Sequence, residues 1–405
     1  MDLHNLFSLQ EKLLFKISLQ NKRYLLDRIN FEHKLIGILG QRGVGKTTLM
    51  LQYLKEHFHE KTAALYISLD MPYFANISLF EFAREFEQNG GEYLFVDEVH
   101  KYDNWAGEFK NIYDFLNITV IFSGSSLLQV SQDDGDISRR AVIYHLENLS
   151  FREYLKLNNL LDHRAISLEE ILNNHTNIAK DIVVNIKIIK YFKEYLRFGA
   201  YPFVLEGKDE YHLKLIQIIN QILEGDLPYV TNIDFAQIKK IKKMFFMIST
   251  LVPFVPNISE LAKMTHISRP KVYDYLELLE RAKLVNAITS REKGYNILKK
   301  PEKLYLQNTN INFALANSPD IGTIRESFFV NQIKNTDTNR FLGEKIYTSG
   351  KKGDFLVDDR YVFEIGGKNK GFDQIKDIKN SFVAADDIEI GFKNKIPLWL
   401  FGFLY

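Results

Sequence analysis

The stretch Leu35-Ile36-Gly37-Ile38-Leu39-Gly40-Gln41-Arg42-Gly43-Val44-Gly45-Lys46-Thr47-Thr48-Leu49-Met50-Leu51-Gln52-Tyr53-Leu54 decides the reading of the first half of the chain. Residues 40–47 meet every fixed position of the pattern GxxxxGK(S/T). Leu35 to Leu39 is a short apolar run of buried-strand type, and Thr48 to Leu54 has the apolar spacing of a helix. Strand, glycine loop and helix are therefore all present. Gly43 and Gly45 permit backbone conformations that a side chain forbids, so successive amides turn inward and make a positive nest at the helix N-terminus. Lys46 adds a point charge for terminal phosphates, and Thr47 offers a hydroxyl to Mg²⁺, a hard cation that takes few protein ligands. The expectation is a nucleotide-phosphate site formed by Gly40, Gln41, Arg42, Gly43, Val44, Gly45, Lys46, Thr47 and Thr48. The loop alone does not say whether the nucleotide is hydrolysed.

Further strands are expected at Ala63 to Ser68, Tyr93 to Asp97, Thr119 to Phe122 and Val142 to His145. They alternate with helical patterns such as Leu79 to Glu87 and Trp105 to Leu116, which implies an α/β fold with a parallel sheet. Tyr93-Leu94-Phe95-Val96-Asp97-Glu98 is an apolar strand ending in two acids, a Walker B element. Asp97 is placed to hold the Mg²⁺ shell, and Glu98 to orient and deprotonate water. The following strand ends at Ser123-Gly124-Ser125-Ser126, where Ser123 is a candidate sensor of the γ-phosphate and Ser125 a helix cap. Arg139 and Arg140 precede the last strand, where an arginine can neutralise transition-state charge in its own subunit or a neighbour's, or can make a surface salt bridge.

The chain has 405 residues, more than a single core supports, so two or three domains are expected. No apolar run approaches the roughly 18 residues that span a bilayer, and Asp2, His4, Glu11 and Lys12 interrupt any signal-peptide core. The expectation is a cytoplasmic protein with no membrane partner. With no cysteine there are no disulfides, cysteine zinc sites or cysteine nucleophiles.

In the second half, Asn257 to Met264, a break at Thr265-His266-Ile267, and Ser268 to Glu280 read as helix, turn, helix. Asn257 with Glu260 makes a capping box, and Ser268 caps a second helix whose first turn tolerates Pro270. Strands at Leu284 to Thr289 and Lys303 to Leu306, joined through Arg291 to Gly294, complete a winged helix. Residues 231–300 hold thirteen Lys or Arg against six Asp or Glu, a net +7 in a chain whose total is +1. That local excess suits phosphate neutralisation, with Arg269 and Lys271 opening the recognition helix and Arg291 and Lys293 in the wing. Winged helices also serve as protein docking modules.

Gly40 to Thr48, Val96-Asp97-Glu98-Val99-His100-Lys101-Tyr102 with Trp105, Phe122 to Ser126, and Leu149-Ser150-Phe151-Arg152-Glu153-Tyr154-Leu155 together resemble the archaeo-bacterial ATPases of the AAA+ and signalling-NTPase lineage. The resemblance implies ATP as the nucleotide, and no guanine-reading Asn-Lys-x-Asp string is present. In that family Ser-Gly-Arg precedes the final strand, and here Ser138-Arg139-Arg140 makes Arg140 the position that carries over. Gly199-Ala200-Tyr201-Pro202 resembles a Gly-Gly-x-Pro turn of the same family. Glu326, Asp354 and Glu364 resemble the acidic positions of the restriction-endonuclease-like fold that closes many members, although Gly366 stands where a nuclease carries lysine and Lys368 is displaced by two.

The implied architecture is an AAA+-like ATPase domain at 1–155, a helical lid at 156–235, a winged helix at 236–310 and a degenerate restriction-endonuclease-like domain at 311–405. The implied function is ATP hydrolysis coupled to engagement or remodelling of duplex or branched DNA. Alternatives are a nucleotide-gated switch that binds a protein partner and, behind it, an ATP-regulated metal-dependent nuclease. A homo-oligomer stays open, and Lys22 to Leu25 is a place for adenine contacts.

Overall fold

In the computed structural model, Leu35–Gly40 forms β1, all of it buried, and it is the centre from which the first half is built. The structure describes residues 2–58, 62–127, 137–231, 233–251, 255, 257–291, 301–316, 318–336, 346–350 and 352–405. By internal contacts the chain divides into two units, Met1–Glu147 with Gly225–Asn232, and Asn148–Glu224 with Ile233–Tyr405. This is coarser than the four expected domains. In this division the leading segment of the first unit ends at Glu147, and Ser150 Oγ and Arg152 Nε donate to the Tyr405 carbonyl at 2.8 and 2.9 Å within the second unit.

The first unit is a parallel sheet of β1, β2 (Ala64–Ser68), β3 (Tyr93–Asp97), β4 (Thr119–Ser125) and β5 (Val142–His145), in the order β2-β3-β4-β1-β5. Its strands are near-continuous apolar runs, as a sheet covered on both faces requires. Helices α1 (Leu3–Lys16), α2 (Lys46–His57), α3 (Leu79–Gln88) and α4 (Trp105–Phe115) belong to this unit. In α3 the apolar residues Leu79, Phe82, Ala83 and Phe86 fall at helical spacing and are all buried, while Ser78 accepts from the Glu81 amide to start the helix. Phe82 and Phe86 join Phe109 and Ile112 of α4 in the core, where each large side chain contributes on the order of 1.5–3 kcal/mol. Insertion of β4 between β1 and β3 brings the C-terminal ends of β1, β3 and β4 side by side.

The second unit opens with helices Phe151–Leu157, Leu168–Val183, Ile188–Phe198 and Tyr211–Gln221. Helices Ile258–Thr265 and Arg269–Arg281 follow, then an antiparallel pair, β6 (Val285–Ile288) and β7 (Lys303–Leu306). Asn257 accepts from the Glu260 amide as expected, but the hydroxyl of Ser268 makes no cap bond. Helix Ile321–Asn335 packs on a second sheet of β8 (Ile346–Thr348), β9 (Phe355–Val357), β10 (Tyr361–Gly366), β11 (Ser381–Ala385) and β12 (Lys395–Pro397). That sheet is mixed: β8, β9 and β10 pair antiparallel, and β10, β11 and β12 pair parallel. Among the described residues no helix is long and apolar enough to cross a membrane.

Candidate active site

The chain leaves β1 at Gly40 and enters α2 at Lys46 through a loop in which Gly43 and Gly45 hold φ of 84° and 97°. Only glycine takes that region at little cost, and the paired turns aim the loop amides toward the N-terminus of α2. Val44 of the loop is fully buried. Arg23 braces the loop from outside by donating to the Val44 carbonyl and, at 2.7 Å, to the Glu147 carbonyl. Within the segment 22–25 expected near adenine, the Arg23 guanidinium is therefore engaged with the scaffold. Lys46 Nζ donates to the Gly40 and Gln41 carbonyls at 2.8 and 3.1 Å, so the amine lies folded over the cradle. Burial pushes this amine below its usual range, against the pull of Glu98, Asp97 and Asp226. Thr48 is exposed in the first turn of α2.

Opposite the loop, Asp97 at the end of β3 is 2% exposed. Its Oδ2 accepts from Thr47 Oγ1 at 2.6 Å and from the Tyr66 hydroxyl at 2.8 Å. Its Oδ1 accepts from Ser123 Oγ and, at 3.1 Å, from the Glu98 amide. All four donors are neutral groups, and between them they satisfy lone pairs on both carboxyl oxygens. Ser123 thus reaches the site, but its hydroxyl is committed to Asp97 and does not stand free as a phosphate sensor. Ser125 accepts from the Leu127 amide at 3.3 Å, a local turn bond.

Glu98 adopts φ 55°, a left-handed conformation that costs a non-glycine residue about 1–2 kcal/mol. The turn sends Glu98, His100 and Lys101 to one place. Glu98 Oε2 is buried without a hydrogen bond, 3.3 Å from His100 Nε2 and 3.8 Å from Arg42 of the loop.

The remaining member of this group was not legible in the sequence. Asp226 is 2% exposed and takes Arg42 in a two-point pair, Oδ2 to Nε at 3.2 Å and Oδ1 to Nη2 at 3.0 Å. Its Oδ1 also lies 3.7 Å from His100 Nε2 and 3.6 Å from Lys101 Nζ. Burial opposes its charge, but the His100 ring and the Arg42 guanidinium outweigh burial and hold the carboxyl well below the usual range. The only sequence sign was an acid before a proline, in Gly225-Asp226-Leu227-Pro228.

Arg140 lies elsewhere. β5 pairs with β1 in the register Ile36↔Val142, so Arg140 is level with residue 34, six residues before the loop at the far edge of a parallel sheet. At ~3.3 Å per residue that is about 20 Å, beyond reach of a phosphate in its own loop. Arg140 instead forms a two-point pair with Asp114 of α4, at 2.9 and 2.8 Å. Catalysis by Arg140 within its own subunit is thereby corrected.

In the second unit Arg269 and Lys271 are exposed at the start of their helix, Arg291 pairs with Asp359 at 2.9 Å, and Lys293 lies outside the described residues. Glu326, Asp354 and Glu364 take their expected places on a helix, before a strand and on the next strand. Each is engaged. Glu326 accepts from the Tyr305 hydroxyl, Asp354 accepts from the Ile365 amide at 2.7 Å, and Glu364 pairs with Lys370. The cation beside Glu364 is therefore Lys370, neither Gly366 nor Lys368. Among the described residues no group of three or more His, Asp or Glu is arranged to hold a metal ion.

Residues 32–155 match the family model described as an AAA domain, and residues 189–320 match a domain of unknown function, DUF8612. The uncharacterized protein MJ1637 of Methanocaldococcus jannaschii is 26% identical over 395 residues, spanning 91% of this chain and 82% of its own length. Fainter likenesses include C. elegans PCH-2, at 12% identity and TM-score 0.26 over 68% of either chain. AMPPCP-bound DnaA from Aquifex aeolicus is 16% identical at TM-score 0.23, over 70% of this chain and 90% of its own. These structural likenesses are too distant to bear on mechanism.

Proposed function

We propose that this chain, which belongs through residues 32–155 to the AAA family of P-loop ATPases, hydrolyses ATP with Mg²⁺ and couples turnover to engagement of DNA by its second half. The observation that carries hydrolysis is the bond of Thr47 to Asp97, with Glu98 next in the chain turned beside it. Two oxygen donors, one anionic and one neutral, suit a hard cation that keeps most of its waters. ATP and Mg²⁺ supply the reactive phosphoryl group with its charge dispersed. The loop amides and Lys46 hold the phosphates, Thr47 and Asp97 hold the ion, and Glu98 orients a water and takes its proton. Arg140, held at the far edge of its own sheet, is left to serve a neighbouring copy in a homo-oligomer.

The DNA reading rests on the +7 stretch coinciding with helix Ile258–Thr265, helix Arg269–Arg281 and the β6–β7 pair, the arrangement of a winged helix. Arg269 and Lys271 face solvent on the first turn of the second helix, where a groove-reading helix carries its contacts. The test is ATP turnover with and without duplex and four-way DNA, across a dilution series. Stimulation by DNA is expected, and the joint change Arg269→Ala with Lys271→Ala should lower the slope of log affinity against log salt by about 1–2. Turnover indifferent to DNA, with no binding at low salt, overturns the DNA part and favours a protein partner.

A further inference from the structure

Arg42 stands between two carboxylates. One is Asp226, which it binds at two points, and the other is Glu98, 3.8 Å away. His100 has the same choice, 3.3 Å from Glu98 and 3.7 Å from Asp226, and neither ring nitrogen is hydrogen-bonded. Glu98 Oε2 is likewise buried and free of hydrogen bonds. A base must keep an accessible lone pair. A guanidinium that closes on it in a two-point pair removes that lone pair and lowers its basicity.

We propose that Asp226 is a positioning residue of the hydrolytic centre, which holds Arg42 away from Glu98 and so keeps the base available. The inference rests on the hydrolytic reading of Glu98 given above. Asp226 is well placed for such a duty. It is nearly fully buried, so its pair with Arg42 is shielded from the screening that weakens exposed ion pairs. Its two oxygens meet Nε and Nη2 of one guanidinium, a geometry that fixes orientation as well as distance. Asp70 is the other carboxylate whose charge Arg42 feels, and it is more distant in effect than Asp226 or Glu98. With Asp226 removed, Glu98 is the strongest remaining anion for Arg42.

The placement of Asp226 along the chain gives this contact a second consequence. Residues 222–226 form a π-helical turn that continues helix Tyr211–Gln221 and runs into the short helix Leu227–Val230. Such turns are rare and concentrate at functional sites. Residues Gly225–Asn232 pack with the nucleotide unit, while the chain before and after them belongs to the second unit. Asp226 therefore lies in a segment of the first unit whose flanks along the chain belong to the second.

The experiment compares steady-state ATP turnover and nucleotide affinity in the full chain, the wild type, Asp226→Asn, Arg42→Gln, the double variant and Glu98→Gln. Asp226→Asn should lower kcat at least 10-fold with nucleotide affinity changed less than 3-fold. The double variant should turn over at the rate of Arg42→Gln alone and faster than Asp226→Asn, because no guanidinium remains to close on Glu98. A merely structural role predicts the opposite, a double variant no faster than Asp226→Asn, and that result overturns the proposal, as does Asp226→Asn with wild-type kcat. Should Asp226→Asn fail to fold, the double variant and Arg42→Gln decide the matter alone: equal rates support the proposal, and a slower double variant overturns it. Wild-type turnover equal to that of Glu98→Gln would instead sink the hydrolytic reading itself.

Discussion

The molecule carries two buried acids at comparable places, Asp97 ending β3 of the first sheet and Glu364 within β10 of the second, each 2% exposed. They differ in what satisfies them. Asp97 receives hydroxyl and amide donors, while the nearby amine of Lys46 is turned to loop carbonyls. Glu364 is closed by the amine of Lys370, and its Oε2 is left without a hydrogen bond. A carboxylate held by neutral donors remains a ligand for an arriving cation. One already paired with lysine has its cation built in.

Three experiments press on this contrast. The largest effect is expected from Glu98→Gln, which leaves the Asp97 donor set in place but removes the base. Turnover should fall about 10²–10⁴-fold with nucleotide binding kept, measured by single-turnover kinetics and nucleotide titration. A variant that loses binding and rate together would move Glu98 from the chemistry to the cradle.

Next in size, Lys370→Met should destabilise the second unit by about 3 kcal/mol in urea unfolding, because Glu364 then stays buried without its counter-ion. The double variant Lys370→Met with Glu364→Gln should recover most of that loss. If Lys370→Met proves neutral, the pair is not what holds Glu364 in place, and the contrast with Asp97 loses its basis.

The smallest effect is a pair of opposite pH signatures. Asp226 has a folded pKa below its unfolded value of about 3.9, so its contribution to stability is complete above that value and is lost as pH falls toward the lower folded one. Burial raises Glu364 above its unfolded value of about 4.3 in spite of Lys370, so its contribution is present below that value and fades as pH rises through the folded one. Unfolding curves should therefore lose acid sensitivity below about pH 3.9 in Asp226→Asn and lose their decline above about pH 4.3 in Glu364→Gln. Identical profiles for both variants would contradict the assigned directions.

How far the sequence reached follows the range of the interactions involved. The phosphate loop was legible because strand, glycines, Lys46 and Thr47 are contiguous and each answers to local backbone geometry. The limits of β3 and β5 were also as expected, since apolar runs of that length mark themselves. The position of Ser123 was legible, but its bond to Asp97 was not, because that bond follows from β3 and β4 being neighbours in the sheet. Arg140 was judged by its neighbours in sequence, and only the register of β5 on β1 put it at the edge away from the loop. Lys370 is not legible for a related reason: the strand pattern puts the lysine position at Gly366, whereas the cation arrives from the segment beyond Gly367.

By itself the sequence determined that this protein holds a nucleotide-phosphate loop backed by an Asp-Glu strand, because those elements are fixed by neighbouring residues and the conformations they allow. The tertiary structure alone decided which charges confront one another across that loop. Arg42 and Asp226 are 184 residues apart in the chain, and their pairing exists only because Gly225–Asn232 packs with the first unit. Electrostatic energy depends on distance in space and on burial, and neither can be read from spacing along a chain.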